Sequence, residues 1–526
     1  MAENLANKSD PKVDKGKTLA EEAVEQIKDQ NTLFIDQRQE PYIAIRKTGG
    51  QVIKLTSKEF ERWLRNFLIK KYKRFQGLDA IVDIARTMLI YEAETGDEYH
   101  ELNTRLCRVD DCQGNPLEII YDTCDGLHAI SITPESWSIQ DVPIAFLRHR
   151  HQKPQSLPER HEDCSIELLR PLLSEFKDDR EWLVVMAYIC SLYVPNIPKP
   201  LLSISGDNGS GKTLTARRIV DLVECSALES GLPVINNGQE LMRLANKNAA
   251  LLLDNLSNIS LSLSDELCRI CTGSSLAKRA LYSDDDDWIC QVCRPVIITG
   301  IPSTLVQRED LLDRTLPLKV SRISETKRRT QSELDSEFAR LKPYLLGSIY
   351  NTLSKALKLL PSVKLEKLPR LADWYALSYA ICESMDGHTG QEFVEAYKFI
   401  LDRQTEIAVE SSLVAQACRL LTSQTGTWEG TASQLHEIRL RYSGLADCVE
   451  DDTARCYLVN HPDWPRSPAT LGKQLDRCKS TLESIGIKVK HGHYKYGQRW
   501  IELTDTNWKD GQSNEAKREV TQKSLC

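Results

Sequence analysis

The sequence predicts an α/β protein with a central parallel sheet, flanked by an N-terminal α+β region and a C-terminal domain of helices and a β-hairpin. Three stretches predict the core. Leu201-Leu-Ser-Ile-Ser runs as an apolar strand into the glycine-rich Gly206-Asp-Asn-Gly-Ser-Gly-Lys-Thr213 and then into the helical Leu214-Thr-Ala-Arg-Arg-Ile-Val. Ala249-Ala-Leu-Leu-Leu-Asp254 and Pro295-Val-Ile-Ile-Thr-Gly300 are two further apolar runs, each ending in polar residues. Continuous rather than alternating apolar runs are what strands covered on both faces require.

The first stretch fits G-x-x-x-x-G-K-T, the phosphate-binding loop of nucleoside triphosphatases. Gly206, Gly209 and Gly211 allow turns that a Cβ would forbid, so the backbone N–H groups of Gly206, Asp207, Asn208, Gly209, Ser210 and Gly211 can face phosphate oxygens. Lys212 supplies a charge for the β- and γ-phosphates, and the Thr213 hydroxyl is the expected Mg2+ ligand. The following helix presents its N-terminal dipole to the same phosphates. The expected ligands are therefore ATP and Mg2+. Asp254, about forty residues beyond the loop, ends its strand where a Walker B carboxylate holds Mg2+ through water. Asn255 follows, where many ATPases carry a glutamate that activates water, and an amide cannot accept that proton. Thr299 ends the third strand at a place suited to sense the γ-phosphate, or is an ordinary strand-end threonine. Arg314, in Asp310-Leu-Leu-Asp-Arg-Thr, reads as a finger reaching a neighbouring subunit's site. Its alternative is an intramolecular partner of Asp310 or Asp313.

Composition narrows the class. The 526 residues leave room for three or so domains at roughly 150 residues each. Hydrophobic content of 41% and charged content of 27% describe an ordinary soluble globular protein. A net charge of −7 offers no overall basicity to attract nucleic acid, so any such surface is local. No apolar run approaches the ~20 residues of a membrane span, and the start of the chain is polar. The expectation is a cytoplasmic protein with no membrane partner. Its 16 cysteines then read as reduced. Cys268/Cys271 and Cys290/Cys293 approach a zinc-ribbon spacing, but they sit in helix-like and strand-like patterns and read as core cysteines.

Along the chain, residues 1–30 read as a polar flexible tail or a frayed helix, 31–155 as the α+β domain and 156–200 as a helical segment leading into the core. Residues 201–325 read as the core, 326–414 as a helical segment, 415–504 as the C-terminal domain and 505–526 as a polar tail.

The order GDNGSGKT, LLLDN, Leu267-Cys-Arg-Ile-Cys-Thr-Gly-Ser-Ser-Leu-Ala-Lys-Arg-Ala-Leu-Tyr282, RPVIITG and DLLDR resembles a superfamily 3-type AAA+ helicase domain. It is most similar to the ATPase half of phage, poxvirus and mobile-element primase–helicases, over about residues 165–325. The resemblance implies an α/β P-loop NTPase of AAA+-like build acting as a homo-oligomeric ring, a hexamer by expectation. It also implies a DNA-contacting β-hairpin, on which Lys278 and Arg279 would grip single-stranded DNA in a central pore. Asn255 departs from the pattern, and so does Thr299, where the group usually presents asparagine. No primase signature lies upstream. The alternative is an AAA+-like loader or regulator switched by ATP without processive unwinding. A third option is a scaffold derived from a replication protein.

The C-terminal domain reads as a helix from Gly430 capped by Thr431 or Ser433, then a longer helix over Trp464–Gly486 with Leu471, Leu475, Cys478 and Leu482 inward. Ile487-Lys-Val-Lys and Arg499-Trp-Ile-Glu-Leu follow as a hairpin. This order is that of a winged helix-turn-helix. Between Trp464 and Arg499 eight basic residues face two acidic ones, a local balance of +6. Lys473 and Arg477, with Lys490 and Lys495 of the wing, are placed to meet the phosphates of duplex DNA. Protein docking is the other use of such a domain.

Overall fold

The computed structural model describes residues 18–508, apart from 47–49, 74–76, 162–163, 174–175, 177, 208, 228–237, 257–258, 274, 280–286, 301–308, 325, 327, 439–460 and 494–498. The chain divides into two compact units, one over Met1–Leu256, Ser260–Gly300 and Leu318–Val394, the other over Ser257–Ile259, Ile301–Pro317 and Glu395–Cys526.

The first unit opens on a helix, the second of the two readings the sequence leaves open for residues 1–30. Helix α1 (Leu19–Gln30) starts at a capping box between Thr18 and Glu21 and buries Ala20, Ala23, Val24 and Ile27. Those four positions follow the i, i+3, i+4, i+7 spacing of one helical face, thinly marked because two of its members are alanines. Strands β1 (Asn31–Ile35), β2 (Pro41–Ile45) and β3 (Gln51–Lys54) form an antiparallel sheet. Helices α2 (Lys58–Tyr72) and α3 (Leu78–Thr95) share its core through Phe60, Leu64, Leu68, Leu78, Val82 and Leu89. An antiparallel meander follows, β4 (Leu106–Asp110), β5 (Pro116–Asp122), β6 (His128–Ile132) and β7 (Trp137–Asp141). Its β5–β6 turn falls at Asp125-Gly126, with Asp125 Oδ1 accepting the N–H groups of Leu127 (2.7 Å) and His128 (2.8 Å).

A 3-10 helix (Ile166–Leu172) and the buried α4 (Asp179–Ser191) lead into the central sheet. Its elements are β8 (Leu201–Gly206), α5 (Lys212–Val223), α6 (Gly238–Ala245), β9 (Leu251–Leu256), α7 (Leu261–Thr272), the hairpin strands β10 (Ser275–Arg279) and β11 (Asp287–Gln291), and β12 (Val296–Gly300); α8 (Glu309–Leu312), in a segment of the second unit, comes next in the chain, and β13 (Thr315–Val320) completes the sheet. The strand order is β13-β8-β12-β9, and β12 runs parallel to both β8 and β9. The three apolar runs of the sequence are β8, β9 and β12. Helices α9 (Gln331–Leu359) and α10 (Ala372–Glu383) pack with α4. Pro343 sits inside helix α9, and its carbonyl oxygen accepts the N–H of Glu159 (3.0 Å).

Helix α11 (Gly390–Ser411) leads to the second unit, which continues as α12 (Leu413–Thr425), β14 (Thr427–Gly430), α13 (Ala432–Glu437), α14 (Pro468–Arg477), α15 (Lys479–Ser484), β15 (Ile487–His493) and β16 (Arg499–Asp505). The strands form an antiparallel sheet in the order β14-β16-β15. Thr431 caps α13 through Gln434 N–H (3.2 Å). The single helix expected over Trp464–Gly486 is two. Ser467 caps the first through Thr470 N–H (3.3 Å), with Pro468 at the first helical position, and the chain turns at Cys478. That turn lets Leu471, Leu475, Cys478 and Leu482 share one core with Ile487, Val489, Ile501 and Leu503.

Candidate functional site

Strand β8 ends at Gly206 and α5 begins at Lys212, so the glycine-rich segment is the turn between them. Gly209 and Gly211 both take a φ of +78°, which side-chain-bearing residues avoid. Gly206 is required for a different reason. Its φ is not in the left-handed region, but a Cβ there would lie 2.6 Å from Val320 O and 2.8 Å from Ser210 Oγ. Ser210 is buried, and its N–H donates to Asp207 O (3.3 Å). Asp207 is exposed, and Asn208 lies outside the described residues.

Lys212 Nζ donates to Gly206 O (2.6 Å) and Asp207 O (2.9 Å), which folds the ammonium over the loop. An anion on the loop would offer it charged oxygens in exchange for neutral carbonyls, a stronger class of hydrogen bond. Beside it, Thr213 Oγ1 donates to Asp254 Oδ1 (2.8 Å), and Thr299 Oγ1 donates to the same oxygen (2.5 Å). Thr299 Oγ1 in turn accepts the N–H of Asn255 (2.8 Å) and is 1% exposed. Residues from the start of α5 and from the carboxyl ends of β9 and β12 thus meet at one carboxylate, as parallel strands bring their ends to one edge of the sheet. Hydroxyl and carboxylate oxygens are the donor set a hard divalent cation such as Mg2+ takes.

Asn255 is exposed and has a φ of +57°. Asparagine tolerates that left-handed conformation where most side chains do not. Arg314 pairs with the Asp310 carboxylate, and its Nη1 also donates to Asp310 O (2.7 Å). That is the intramolecular partnership the sequence reading left open. The strands carrying Lys278 and Arg279 form an antiparallel hairpin, with Lys278 opposite Trp288 and Arg279 opposite Asp287.

In the second unit Lys473 and Arg477 are exposed on α14. Lys490 is exposed on β15 but pairs with Glu502 (2.9 Å), and His491 lies 3.0 Å from Asp476. Lys495 lies outside the described residues. Cys268 and Cys271 are buried on α7. Among the described residues no group of three or more His, Cys, Asp or Glu side chains is placed to hold a metal, and no helix is long and apolar enough to cross a membrane.

A cavity of about 1280 Å³ opens beside Gly211 and Thr213, lined in part by Arg170, Leu173, Phe176, Arg217, Arg328 and Leu334. These residues come from before, within and well after the loop, so no local pattern marks them.

Among solved structures, the chain is similar to the apo A form of the NrS-1 C-terminal region, at 10% identity and a TM-score of 0.39, covering 91% of this chain and 97% of that one. A second structure of that region, spanning 305–718, matches at 11% identity and a TM-score of 0.35, covering 76% and 77%. JCV Helicase matches at 12% identity and a TM-score of 0.23, covering 48% of this chain and 62% of that one. No curated protein matches the chain. Residues 166–406 match the actinomycete integrative conjugative element replication protein family, and residues 414–518 match the RepA C-terminal domain of the same elements. These two consecutive matches, over about two thirds of the chain, identify it as a replication protein of the actinomycete integrative conjugative element type.

Proposed function

We propose that this chain is an ATP-driven DNA helicase or translocase that serves replication of its element as a homo-oligomeric ring, most simply a hexamer. The observation that carries the reading is the convergence of the Thr213 and Thr299 hydroxyls on one Asp254 carboxylate oxygen beside a loop with two left-handed glycines. In this reading the core is an AAA+-like P-loop NTPase. The N–H groups of residues 206–211 hold the phosphates, and Lys212 leaves its carbonyl partners for the β- and γ-phosphates. Thr213, and Asp254 through water, would hold Mg2+, which when bound would neutralise charge on the phosphate oxygens. Thr299 orients Asp254, and the cavity beside Thr213 takes the base and ribose. Arg314 acts on a neighbouring subunit's nucleotide once it gives up Asp310. Lys278 and Arg279 grip single-stranded DNA. The C-terminal unit, read as a winged helix, lays α14 on duplex DNA with Lys473 and Arg477, aided by Lys490 and Lys495.

A second reading, an ATP-switched loader or regulator without processive unwinding, is favoured by Asn255, since the exposed amide beside Asp254 cannot act as a base. Hydrolysis measured with and without single-stranded DNA decides between them. The helicase reading expects stimulation by DNA that Lys278→Ala with Arg279→Ala removes while basal turnover stays. Stimulation that survives the double substitution refutes the hairpin assignment, and ATP-dependent assembly with no stimulation favours the loader.

A further inference from the structure

The N-terminal region precedes both family matches, yet its side chains close the far end of the helix that starts at the nucleotide loop. Helix α5 runs from Lys212 to Val223, and its last carbonyls need partners. Tyr121 Oη donates to Val223 O (3.0 Å), and Gln155 Nε2 donates to Asp221 O (3.0 Å) and Leu222 O (2.8 Å). Arg105 Nη2 donates to Cys225 O (2.6 Å) and Lys153 O (2.7 Å). Arg105 Nε donates to Glu224 Oε1 (2.7 Å), and Glu224 Oε2 accepts the N–H of Ala249 (2.7 Å), two residues ahead of β9. Both side chains of this ion pair are removed from solvent, at 0% and 2% exposure, and Arg105 is held at a φ of +58°. Burial pushes the Tyr121 phenol well above its ordinary range, so it remains a neutral donor.

One buried pair therefore anchors the ends of α5 and β9 that lie opposite Thr213 and Asp254. We infer that Arg105 is a positioning residue of the nucleotide site, acting through Glu224 to fix α5 against β9 and hence the Thr213–Asp254 contact. The inference rests on the nucleotide reading. The phosphate grip is local to the loop and travels with α5, whereas the cation-binding pair spans two elements. Loss of the anchor thus harms turnover more than affinity.

The test uses the full chain. Arg105→Lys keeps the charge but cannot fork to Glu224, Cys225 and Lys153 together. Its expected result is ATP affinity within about threefold of the wild type and kcat down by about tenfold or more. Tyr121→Phe, a milder change, is expected to lower kcat by a few fold. A folded Arg105→Lys chain with unchanged kcat overturns the inference. Should that variant not fold, hydrogen exchange on the wild type decides: Mg-ATP is expected to slow exchange at residues 103–107 and 221–225, and no change there overturns the proposal. A wild-type chain that binds no ATP overturns the nucleotide reading itself, a result distinct from either.

Discussion

The glycine-rich loop of the first unit and the basic face of the second differ in how far their polar groups constrain one another. Around the loop, Lys212, Thr213, Asp254 and Thr299 are joined to the backbone or to each other by bonds of 2.5–2.9 Å. On α14 and β15, Lys473, Arg477 and Lys490 are exposed, and Lys490 is already taken by Glu502. A site assembled from strand ends has its partners dictated by topology. A surface charge finds whichever acid lies nearby, so a local balance of +6 overstates what a DNA backbone would meet.

The comparison can be pressed from both sides. Asp254→Ala should do most, lowering ATP turnover by about a thousandfold while leaving the fold intact, as measured by steady-state hydrolysis and circular dichroism. Lys473→Ala with Arg477→Ala should leave basal turnover alone. It should weaken duplex binding about tenfold or more and reduce the slope of log affinity against log salt by about 1.8, because two phosphates are no longer neutralised. Thr299→Val removes both the bond to Asp254 and the acceptor for Asn255 N–H. A several-fold loss of turnover and about 1 kcal/mol of stability are expected, read from kinetics and a denaturant midpoint. Lys490→Ala should change duplex affinity by less than about twofold, because Glu502 already offsets its charge. An effect as large as that at Lys473 would mean that DNA displaces Glu502.

How much was legible depended on whether the signal was local. The three core strands, the loop and the Thr213–Asp254 relation follow from contiguous apolar runs and one motif, and the structure assembles them as expected. Thr299 was legible as a strand end but not as the group that holds Asp254, since that bond joins residues 45 apart. Helix α1 was only faintly legible because its buried face is half alanine and its surroundings are charged, and the break at Cys478 was hidden by an uninterrupted helical periodicity. For Asn255 the sequence showed an amide after the strand-end carboxylate but not its φ of +57°. Arg105 carried no signal at all: its partners Tyr121, Lys153, Glu224 and Cys225 are distant in sequence, and an arginine near a strand start ordinarily faces water.

The most direct test of the central claim is calorimetric titration of Mg-ATP into the wild type and into Lys212→Ala. Removing a charge-assisted bond of about 1.5–3 kcal/mol should weaken binding by roughly ten- to a hundredfold, with the nucleotide-free protein still cooperatively folded. Equal affinity in the two proteins, or no heat of binding in the wild type, would contradict the account.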